Sequence, residues 1–241
     1  MHTEQGKVTD ITFIDQQIED TKRELEEMLA YPDEKLIDII REVGFECDLC
    51  GRCCTKEFND HVFLLDKDTE VMKSIDKNLI EPAPYYEFCD QNGRFYVSGY
   101  ALRTKEDGSC IMLEDKRCTI YDRRFTICRL YPYMLHRETD DEGNLDWRQI
   151  SGLNEHGCYH AEISEDEAKV IAEDTKAYEE AYLDQQIRFL RKIKEHFQKN
   201  KLRHVKSIYD RKMRAFNKGE EAEVYVFYKD EFELNRISKN D

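Results

Sequence analysis

The chain has 241 residues, of which 40% are hydrophobic and 37% charged, and its formal net charge is −15. These values fit a folded protein with much solvated surface, and the negative charge argues against a general nucleic-acid binder. No stretch approaches the about 18 apolar residues of a transmembrane helix, and the start shows no basic leader before an apolar run. We therefore expect a cytoplasmic protein.

Residues 1–44 are predicted to form an N-terminal helical arm. Isoleucine, leucine and methionine recur there at helical spacing among acids and amides. Pro32 ends the first helix, because proline does not continue a helix from within. We expect Asp33 to cap a second, short helix and Gly44 to stop it.

Residues 45–160 are predicted to form a mixed body with short strands and long loops. Residues 61–65 and 93–103 have the composition of strands, and Asp66 is expected to cap a helix after the first of them. Two later segments are expected to pair as a hairpin: residues 133–136 and 145–150.

Residues 161–241 are predicted to be largely helical. Ser164 and Glu167 have the spacing of a capping box that opens a long helix. Residues 224–228 are predicted to form one late strand. The whole pattern predicts the α+β class, with a small loop-rich domain between N-terminal helices and a long helical C-terminal region.

The nine cysteines are gathered in the body of the chain. An odd number fits a closed disulfide framework poorly, and reducing compartments rarely hold structural disulfides. Cys89 has no motif around it and is expected to be a buried free thiol. The other eight are candidate metal ligands: Cys47, Cys50, Cys53, Cys54, Cys110, Cys118, Cys128 and Cys158.

The first four cysteines give the strongest signal. Two residues separate Cys47 from Cys50 and Cys50 from Cys53, and three thiolates at that spacing with a distant fourth are typical of a [4Fe–4S] cluster. Gly51 suits the tight turn of a metal knuckle, but a single zinc more often takes two separated cysteine pairs. Cys54 directly follows Cys53, so the two can serve different metal ions. The spacing favours an iron–sulfur cluster, with Zn²⁺ as the alternative.

Charged side chains near the cysteines are further candidates. Arginines in this region can offset the negative charge of a thiolate cluster or form ordinary surface ion pairs; they are Arg117, Arg123, Arg124 and Arg129. Three histidines could replace a cysteine ligand, although surface or capping roles are favoured; they are His136, His156 and His160.

The cysteine-bearing elements follow one another in a specific order. They are C-x2-C-G-x-C-C at 47–54, G-x-C at 108–110, R-C-x-I-Y at 117–121, C-R-x-Y-P at 128–132 and G-C at 157–158. This order resembles the YkgJ-type cysteine-cluster family over about residues 45–160. The family is described as a zinc- or iron-chelating domain, so the resemblance implies metal binding and leaves the metal and any activity open. One departure is Phe125, which follows Arg124 where the family usually has proline.

Residues 188–218 form a basic segment, with twelve lysines and arginines against Glu195 and Asp210. Its apolar positions keep helical spacing, which predicts a basic amphipathic helix or helix pair. Such a segment can pack on acidic residues of its own chain or bind an acidic protein, RNA or a membrane surface. We expect packing within the chain or a protein partner.

Three functions remain open from the sequence. The first is a non-catalytic iron–sulfur accessory or regulatory protein, responsive to redox state or oxygen, that docks through its helical arm and residues 188–218. The second is a zinc protein in which the metal holds a protein-interaction module. The third is a methyltransferase-like enzyme, because some flagellin lysine N-methylases resemble this cysteine pattern. The sequence contains no recognised nucleotide-binding or hydrolase motif, which favours a protein without catalytic activity.

Overall fold

The computed structural model describes residues 3–133, 136–139, 145–148 and 156–238. Its helices are α1 (Thr3–Ala30), α2 (Asp33–Val43), α3 (Lys56–Asn59), α4 (Asp66–Ile75), α5 (Thr126–Leu130), α6 (Glu165–Asn200) and α7 (Lys206–Phe216). Its strands are β1 (Phe63–Leu64), β2 (Ile80–Pro82), β3 (Phe88–Cys89), β4 (Phe95–Val97), β5 (Tyr100–Leu102), β6 (Leu113–Glu114), β7 (Arg117–Cys118), β8 (His136–Thr139), β9 (Leu145–Arg148), β10 (Ala222–Tyr228) and β11 (Glu231–Ile237). The predicted α+β class is confirmed. No helix in the described part of the chain is both long and apolar enough to cross a membrane.

Two compact units make up the chain, each from separated stretches of sequence. The sheet unit comprises Met1–Glu24, Phe63–Leu102 and Leu183–Asp241, and the cysteine unit comprises Leu25–Val62 and Arg103–Tyr182. All eight candidate ligands belong to the cysteine unit, whereas Cys89 belongs to the sheet unit. The predicted division into residues 1–44, 45–160 and 161–241 stays a prediction.

The sheet unit is built on two small sheets. In the larger sheet the strand order is β11-β10-β4-β3, with β10 parallel to β4 and the other neighbours antiparallel. The smaller sheet has the order β1-β5-β2 and is antiparallel. Apolar side chains from α1, α6 and the larger sheet form a buried cluster: Ile14, Ile18, Phe88, Tyr96, Phe189, Leu190, Ile193, Phe197 and Phe227.

The expectation of one continuous strand over residues 93–103 is wrong. The chain bends at Ser98 and Gly99, so that β4 and β5 belong to different sheets. Gly99 passes close to Phe63, and a Cβ atom at this position would lie 2.7 Å from the Phe63 Cζ atom. The Ser98 carbonyl oxygen accepts a hydrogen bond from Gln185 Nε2 at 3.1 Å. Tertiary packing therefore breaks a segment whose composition favours a single strand.

The expectation of one late strand is incomplete, because β10 pairs antiparallel with β11 along its whole length. Lys229 and Asp230 form the two-residue connection, and both have positive φ, at 47° and 63°. Two positive φ values are typical of a type I′ hairpin turn, which favours Asn-Gly or Asp-Gly. Lys-Asp is not such a signal, which is why the sequence did not indicate a hairpin here.

The predicted hairpin of residues 133–136 and 145–150 is confirmed in part. Strands β8 and β9 pair antiparallel, with His136 opposite Arg148 and Thr139 opposite Leu145. Residues 134–135 and 149–150 lie outside the described residues. The described pairing includes residues 137–139, which the prediction assigns to the connection.

The predicted aspartate caps are wrong at both positions. Asp33 and Asp66 are the first residues of α2 and α4, and neither helix has a side-chain cap. The Asp66 carboxylate instead accepts hydrogen bonds from Arg188 Nη2 at 3.0 Å and from the Lys229 main-chain N–H at 3.2 Å. In α4, the Asp66 carboxylate therefore binds the Arg188 guanidinium instead of capping the helix.

The other two helix signals are confirmed. Ser164 Oγ accepts a hydrogen bond from the Glu167 N–H at 3.2 Å, as the cap of α6 requires. Gly44 ends α2 in the left-handed conformation, and its N–H donates to the Ile40 carbonyl oxygen.

Candidate metal centre

The first four candidate cysteines lie on a tight loop that follows α2. Gly51 has φ of 75°, and a Cβ atom there would lie 3.1 Å from the Lys116 carbonyl oxygen. The 3-10 turn Arg52–Cys54 follows directly, and the Cys54 N–H donates to the Gly51 carbonyl oxygen at 3.1 Å. Glycine is therefore required at this position by both its backbone angle and its close neighbour.

A pair of main-chain hydrogen bonds joins this loop to the second cysteine block, which contains Cys110, Cys118 and Cys128. The Cys110 N–H donates to the Cys54 carbonyl oxygen at 2.7 Å, and the Lys56 N–H donates to the Gly108 carbonyl oxygen at 2.9 Å. Cys54 and Cys110 are thus neighbours in space although they are distant in sequence. Two more cysteines of this block lie on short elements, Cys118 on β7 and Cys128 on α5.

The last cysteine lies beside the first. Glu46 and Cys158 exchange two main-chain hydrogen bonds of 2.7 and 2.9 Å, which places Cys158 next to the residue that precedes Cys47. Gly157 has φ of 73°, and a Cβ atom there would lie 2.3 Å from Phe45 Cε2. The Gly157 backbone acts to lower the pKa of Cys50, against the larger effect of burial. This segment therefore contacts the first cysteine loop at two points.

The Cys110 sulfur accepts a hydrogen bond from the Met112 main-chain N–H, two residues later. The backbone two residues later also acts to lower the pKa of Cys50, from Arg52, and of Cys118, from Ile120, although burial raises both pKa values. The distance from Met112 N to Cys110 Sγ is 3.5 Å. N–H groups directed at sulfur favour the thiolate form, which is the form that binds metal.

Four thiols influence one another electrostatically. Burial raises the pKa of Cys110 to about 11, and the thiolates of Cys54 and Cys118 add to this rise. Burial, followed by the thiolates of Cys110, Cys54 and Cys118, also raises the pKa of Cys128. A hydrogen bond with Cys53, followed by burial, raises the pKa of Cys54. These effects place Cys54, Cys110, Cys118 and Cys128 in one region of the unit, where Cys53 also acts on Cys54 and Cys47 on Cys118.

Arg124 supplies a positive charge in this region. Burial raises the pKa values of Cys118 and Cys128, and the Arg124 guanidinium opposes both increases. The guanidinium carbon lies 3.7 Å from the centre of the Tyr121 ring, and the Tyr121 carbonyl oxygen accepts from Arg124 Nε at 3.0 Å. The Tyr121 side chain is hydrogen-bonded to Cys47. Of the four candidate arginines, Arg124 is the one that acts on several thiols.

Two of the candidate histidines bind groups other than a metal. The Tyr131 hydroxyl and His156 Nε2 are 2.7 Å apart and both side chains are buried. His160 Nδ1 lies 3.1 Å from the Glu42 carbonyl oxygen. The side chain of His136 lies outside the described side chains. These contacts each involve one ring nitrogen, Nε2 of His156 and Nδ1 of His160.

Asp48 belongs to the site although its sequence position did not single it out. Its carboxylate accepts from the Cys50 N–H at 3.1 Å, and hydrogen bonding with Cys50 lowers the pKa of Asp48. An aspartate two residues before an N–H can form an Asx turn. That local pattern was the available signal, and it fixes the conformation of the first cysteine loop.

The donor set fits a thiophilic metal. Seven candidate cysteines are partly exposed as whole residues and Cys158 is exposed, whereas the thiols of Cys110 and Cys128 are largely buried. Thiolates with directed N–H groups suit zinc, iron–sulfur clusters and Cu(I) rather than Mg²⁺ or Ca²⁺. Among the described residues, no three histidine, cysteine, aspartate or glutamate side chains already converge on a point that could hold an ion. The thiols are therefore gathered by the fold, and ligation requires them to turn toward a common ion.

Comparison with known proteins identifies this part of the chain. No curated protein matches the sequence, and no solved structure matches the fold. One family model matches, over residues 46–151, and its description is "Putative zinc- or iron-chelating domain". The match covers all but one of the eight candidate cysteines, since Cys158 lies beyond it. Residues 46–151 thus match the CxxCxxCC family, which confirms the resemblance to the zinc- or iron-chelating cysteine-cluster family.

Proposed function

We propose that the cysteine unit holds an iron–sulfur cluster of the [4Fe–4S] kind and that the chain is an accessory or regulatory subunit of a larger protein. The cluster would respond to redox state or oxygen, and the chain would have no catalytic activity of its own. The observation that carries the proposal is the C-x2-C-x2-C loop, whose neighbour across the Glu46–Cys158 pairing is a fourth cysteine.

The first ligand set consists of Cys47, Cys50, Cys53 and Cys158. Its support is the backbone pairing of Glu46 with Cys158 and the effect of the Gly157 backbone on the ionisation of Cys50. Three closely spaced thiolates with a distant fourth are the pattern of a [4Fe–4S] cluster. We assign the cluster to this set.

The second ligand set consists of Cys54, Cys110, Cys118 and Cys128. Its support is the main-chain bond between Cys110 and Cys54 and the effect of Cys54, Cys110 and Cys118 on the ionisation of Cys128. Placing Cys53 and Cys54 in different sets requires their mutual hydrogen bond to break when metal binds. Four thiolates from separated segments suit a single tetrahedral ion, either iron or zinc.

Metal binding would complete the fold of this unit. Its strands β6 and β7 have two residues each, so a thin core leaves much of the arrangement to loops. Ligand bonds replace part of such a core, and their formation releases protons from the thiols. Arg124 would offset part of the negative charge of the bound thiolates.

Docking on a larger protein is the second half of the proposal. The supporting observations are the helical α1, with Phe13 57% exposed, and the excess of positive charge in residues 188–218. A small protein without a recognised catalytic motif that carries a redox-active cluster requires an electron donor or acceptor, and a docking surface would supply that contact.

Anaerobic purification with analysis of iron, zinc and acid-labile sulfide per chain tests the metal. We expect a brown protein that contains iron and sulfide and loses its colour in air. A colourless protein with stoichiometric zinc and no sulfide would overturn the iron–sulfur proposal. The alternative would then be a zinc-stabilised interaction module, which the knuckle-like N–H to sulfur bond also supports.

A further inference from the structure

The end of α6 divides the basic segment 188–218 into a first part that contains its ion pairs and a second part. In the first part, Arg191 and Lys199 are exposed and form no ion pair with a described residue. Three cations on α6, Arg188, Lys192 and Lys194, form ion pairs with acids of the sheet unit. Their side chains are 23–31% exposed. Their partners are Asp66, Asp184 and Asp230 for Arg188, Glu231 for Lys192, and Asp15 for Lys194. These charges hold α6 against the rest of its unit and are not available to another molecule.

The second part presents exposed positive charge. Six of its cations are exposed, and none forms an ion pair with a residue that the structure describes: Lys201, Arg203, Lys206, Arg211, Arg214 and Lys218. We call these six residues the basic face. All of them follow the last residue of α6, whereas the neutralised cations precede it.

Helix α7 and the turn after it carry three of the six residues of the basic face. Arg211, Arg214 and Lys218 are three, four and seven residues apart, which places them on one side of a helix and its C-terminal turn. Tyr209 lies on another side, where its ring meets Phe95 at 5.4 Å between centroids. Asp210 is also exposed, so this part of the surface has a net positive charge that includes one negative side chain.

The connection between α6 and α7 fixes the remaining cations. The Arg203 N–H donates to Gln91 Oε1 at 2.8 Å, and Gln91 Nε2 donates to the Lys201 carbonyl oxygen at 3.1 Å. The Val205 N–H donates to the Cys89 carbonyl oxygen at 2.9 Å. The basic face is therefore held on an ordered backbone, which lowers the entropic cost of binding.

The observations favour a protein over a nucleic acid as the partner. Single-stranded nucleic acids are bound by basic grooves with aromatic rings on which bases stack, and Tyr209 is packed against Phe95 within its own unit. The chain as a whole carries a net charge of −15, which repels an extended polyanion. A short acidic segment avoids most of that repulsion because it contacts the basic face alone.

We propose that the basic face binds an acidic segment of a partner protein. The inference deepens the docking half of the proposed function and rests on it. Ion pairs between the face and the partner's carboxylates would steer association and would weaken as salt screens them. The positive charge of the basic face defines the chemistry of the partner segment as acidic.

Fluorescence anisotropy with a labelled glutamate-rich peptide tests the proposal on the full chain. We expect salt-sensitive binding that the double substitution Arg211→Glu with Arg214→Glu weakens by about tenfold. The matched control is Lys67→Glu with Lys77→Glu, which makes the same charge change at exposed positions of the same unit. The control is expected to stay within about twofold. Arg211→Gln with Arg214→Gln gives an intermediate loss.

Several results would overturn the proposal. They are no peptide binding at low salt, equal weakening by both double substitutions, or tighter binding of single-stranded RNA or of phosphatidylserine vesicles than of the peptide. Iron and sulfide are measured on the same preparations. A chain that lacks iron and still binds the peptide through the basic face would contradict the iron–sulfur proposal alone.

Discussion

The main-chain N–H of Cys110 donates to the carbonyl oxygen of Cys54 over 2.7 Å. This bond joins two cysteine blocks that are separated in sequence, and it lies between two residues that are themselves candidate ligands. The second ligand set is therefore organised by backbone pairing before any metal binds. Metal binding then has a smaller entropic cost than it would have in a disordered loop.

A single cysteine substitution should remove the metal of the ligand set to which that cysteine belongs. Cys50→Ser is expected to lose the metal of the first set and to keep the metal of the second. Cys110→Ser is expected to lose the metal of the second set and to keep that of the first. Cys89→Ala is the control, because Cys89 is buried in the sheet unit. Metal and sulfide analysis of anaerobic protein measures the outcome. Complete loss of all metal from either serine variant would contradict the division into two sets.

Gly157→Ala should disrupt the contact between Cys158 and the first loop. A Cβ atom there meets Phe45 Cε2 at 2.3 Å, and φ is 73°. We expect a loss of about 2 kcal/mol or more in the free energy of unfolding, together with lower metal content. Urea denaturation of the metal-loaded chain provides the measurement.

Gly108→Ala is the matched control for that substitution. Gly108 also has positive φ, at 80°, but a Cβ atom there meets nothing nearer than Lys56 Cβ at 3.7 Å. Gly108→Ala should lower the free energy of unfolding by about 1 kcal/mol, from the backbone conformation alone. Equal costs for the two substitutions would show that the close approach to Phe45 is unimportant.

Arg188→Met should destabilise the sheet unit. Arg188 contacts the carboxylates of Asp66, Asp184 and Asp230 at 2.9 to 3.0 Å. Because the partners are partly exposed, we expect a loss of about 1–2 kcal/mol for the three pairs together. Arg191→Met is the control, since Arg191 is exposed on the same helix and pairs with no described acid. Equal urea midpoints for the two variants would contradict this role of Arg188.

The sheet unit should lose stability in mild acid through His196. Burial lowers the pKa of His196 below its usual 6.5, an effect that Asp90 opposes and Lys192, Arg94 and Lys199 reinforce. The folded state therefore favours the neutral ring, so this contribution is complete above about pH 6.5 and is lost as the pH falls through the lower, folded-state pKa.

The substitution His196→Gln isolates that contribution. In the wild type, His196 Nε2 lies 3.4 Å from the Tyr96 hydroxyl, and a glutamine amide can partly replace this contact. The difference in free energy of unfolding between wild type and variant should shrink from about pH 7 to about pH 5. A difference that stays constant over that range, measured by urea denaturation at each pH, would rule out His196 as the source.

The metal ligands were predictable as candidates because the chemistry of thiols and their spacing are local properties of the sequence. Their grouping was not, because it depends on backbone pairs between distant residues, such as Cys54 with Cys110 and Glu46 with Cys158. Asp48 was missed for a related reason: its role depends on the turn that its own carboxylate stabilises.

The helices were predicted better than the strands. Apolar periodicity and the Ser164 cap indicated α6 correctly, since both signals are local. The bend at Gly99 and the Lys229–Asp230 turn arise from packing against Phe63 and from pairing of β10 with β11. Residue propensities contain no information about such neighbours.

The central claim is that the cysteine unit holds an iron–sulfur cluster, and Mössbauer spectroscopy of anaerobic protein grown on isotopically enriched iron tests it most directly. We predict the spectrum of tetrahedral, sulfur-ligated iron in a [4Fe–4S] cluster, lost in the Cys50→Ser variant and retained in Cys89→Ala. A spectrum without cluster iron from protein that contains stoichiometric zinc would contradict the claim.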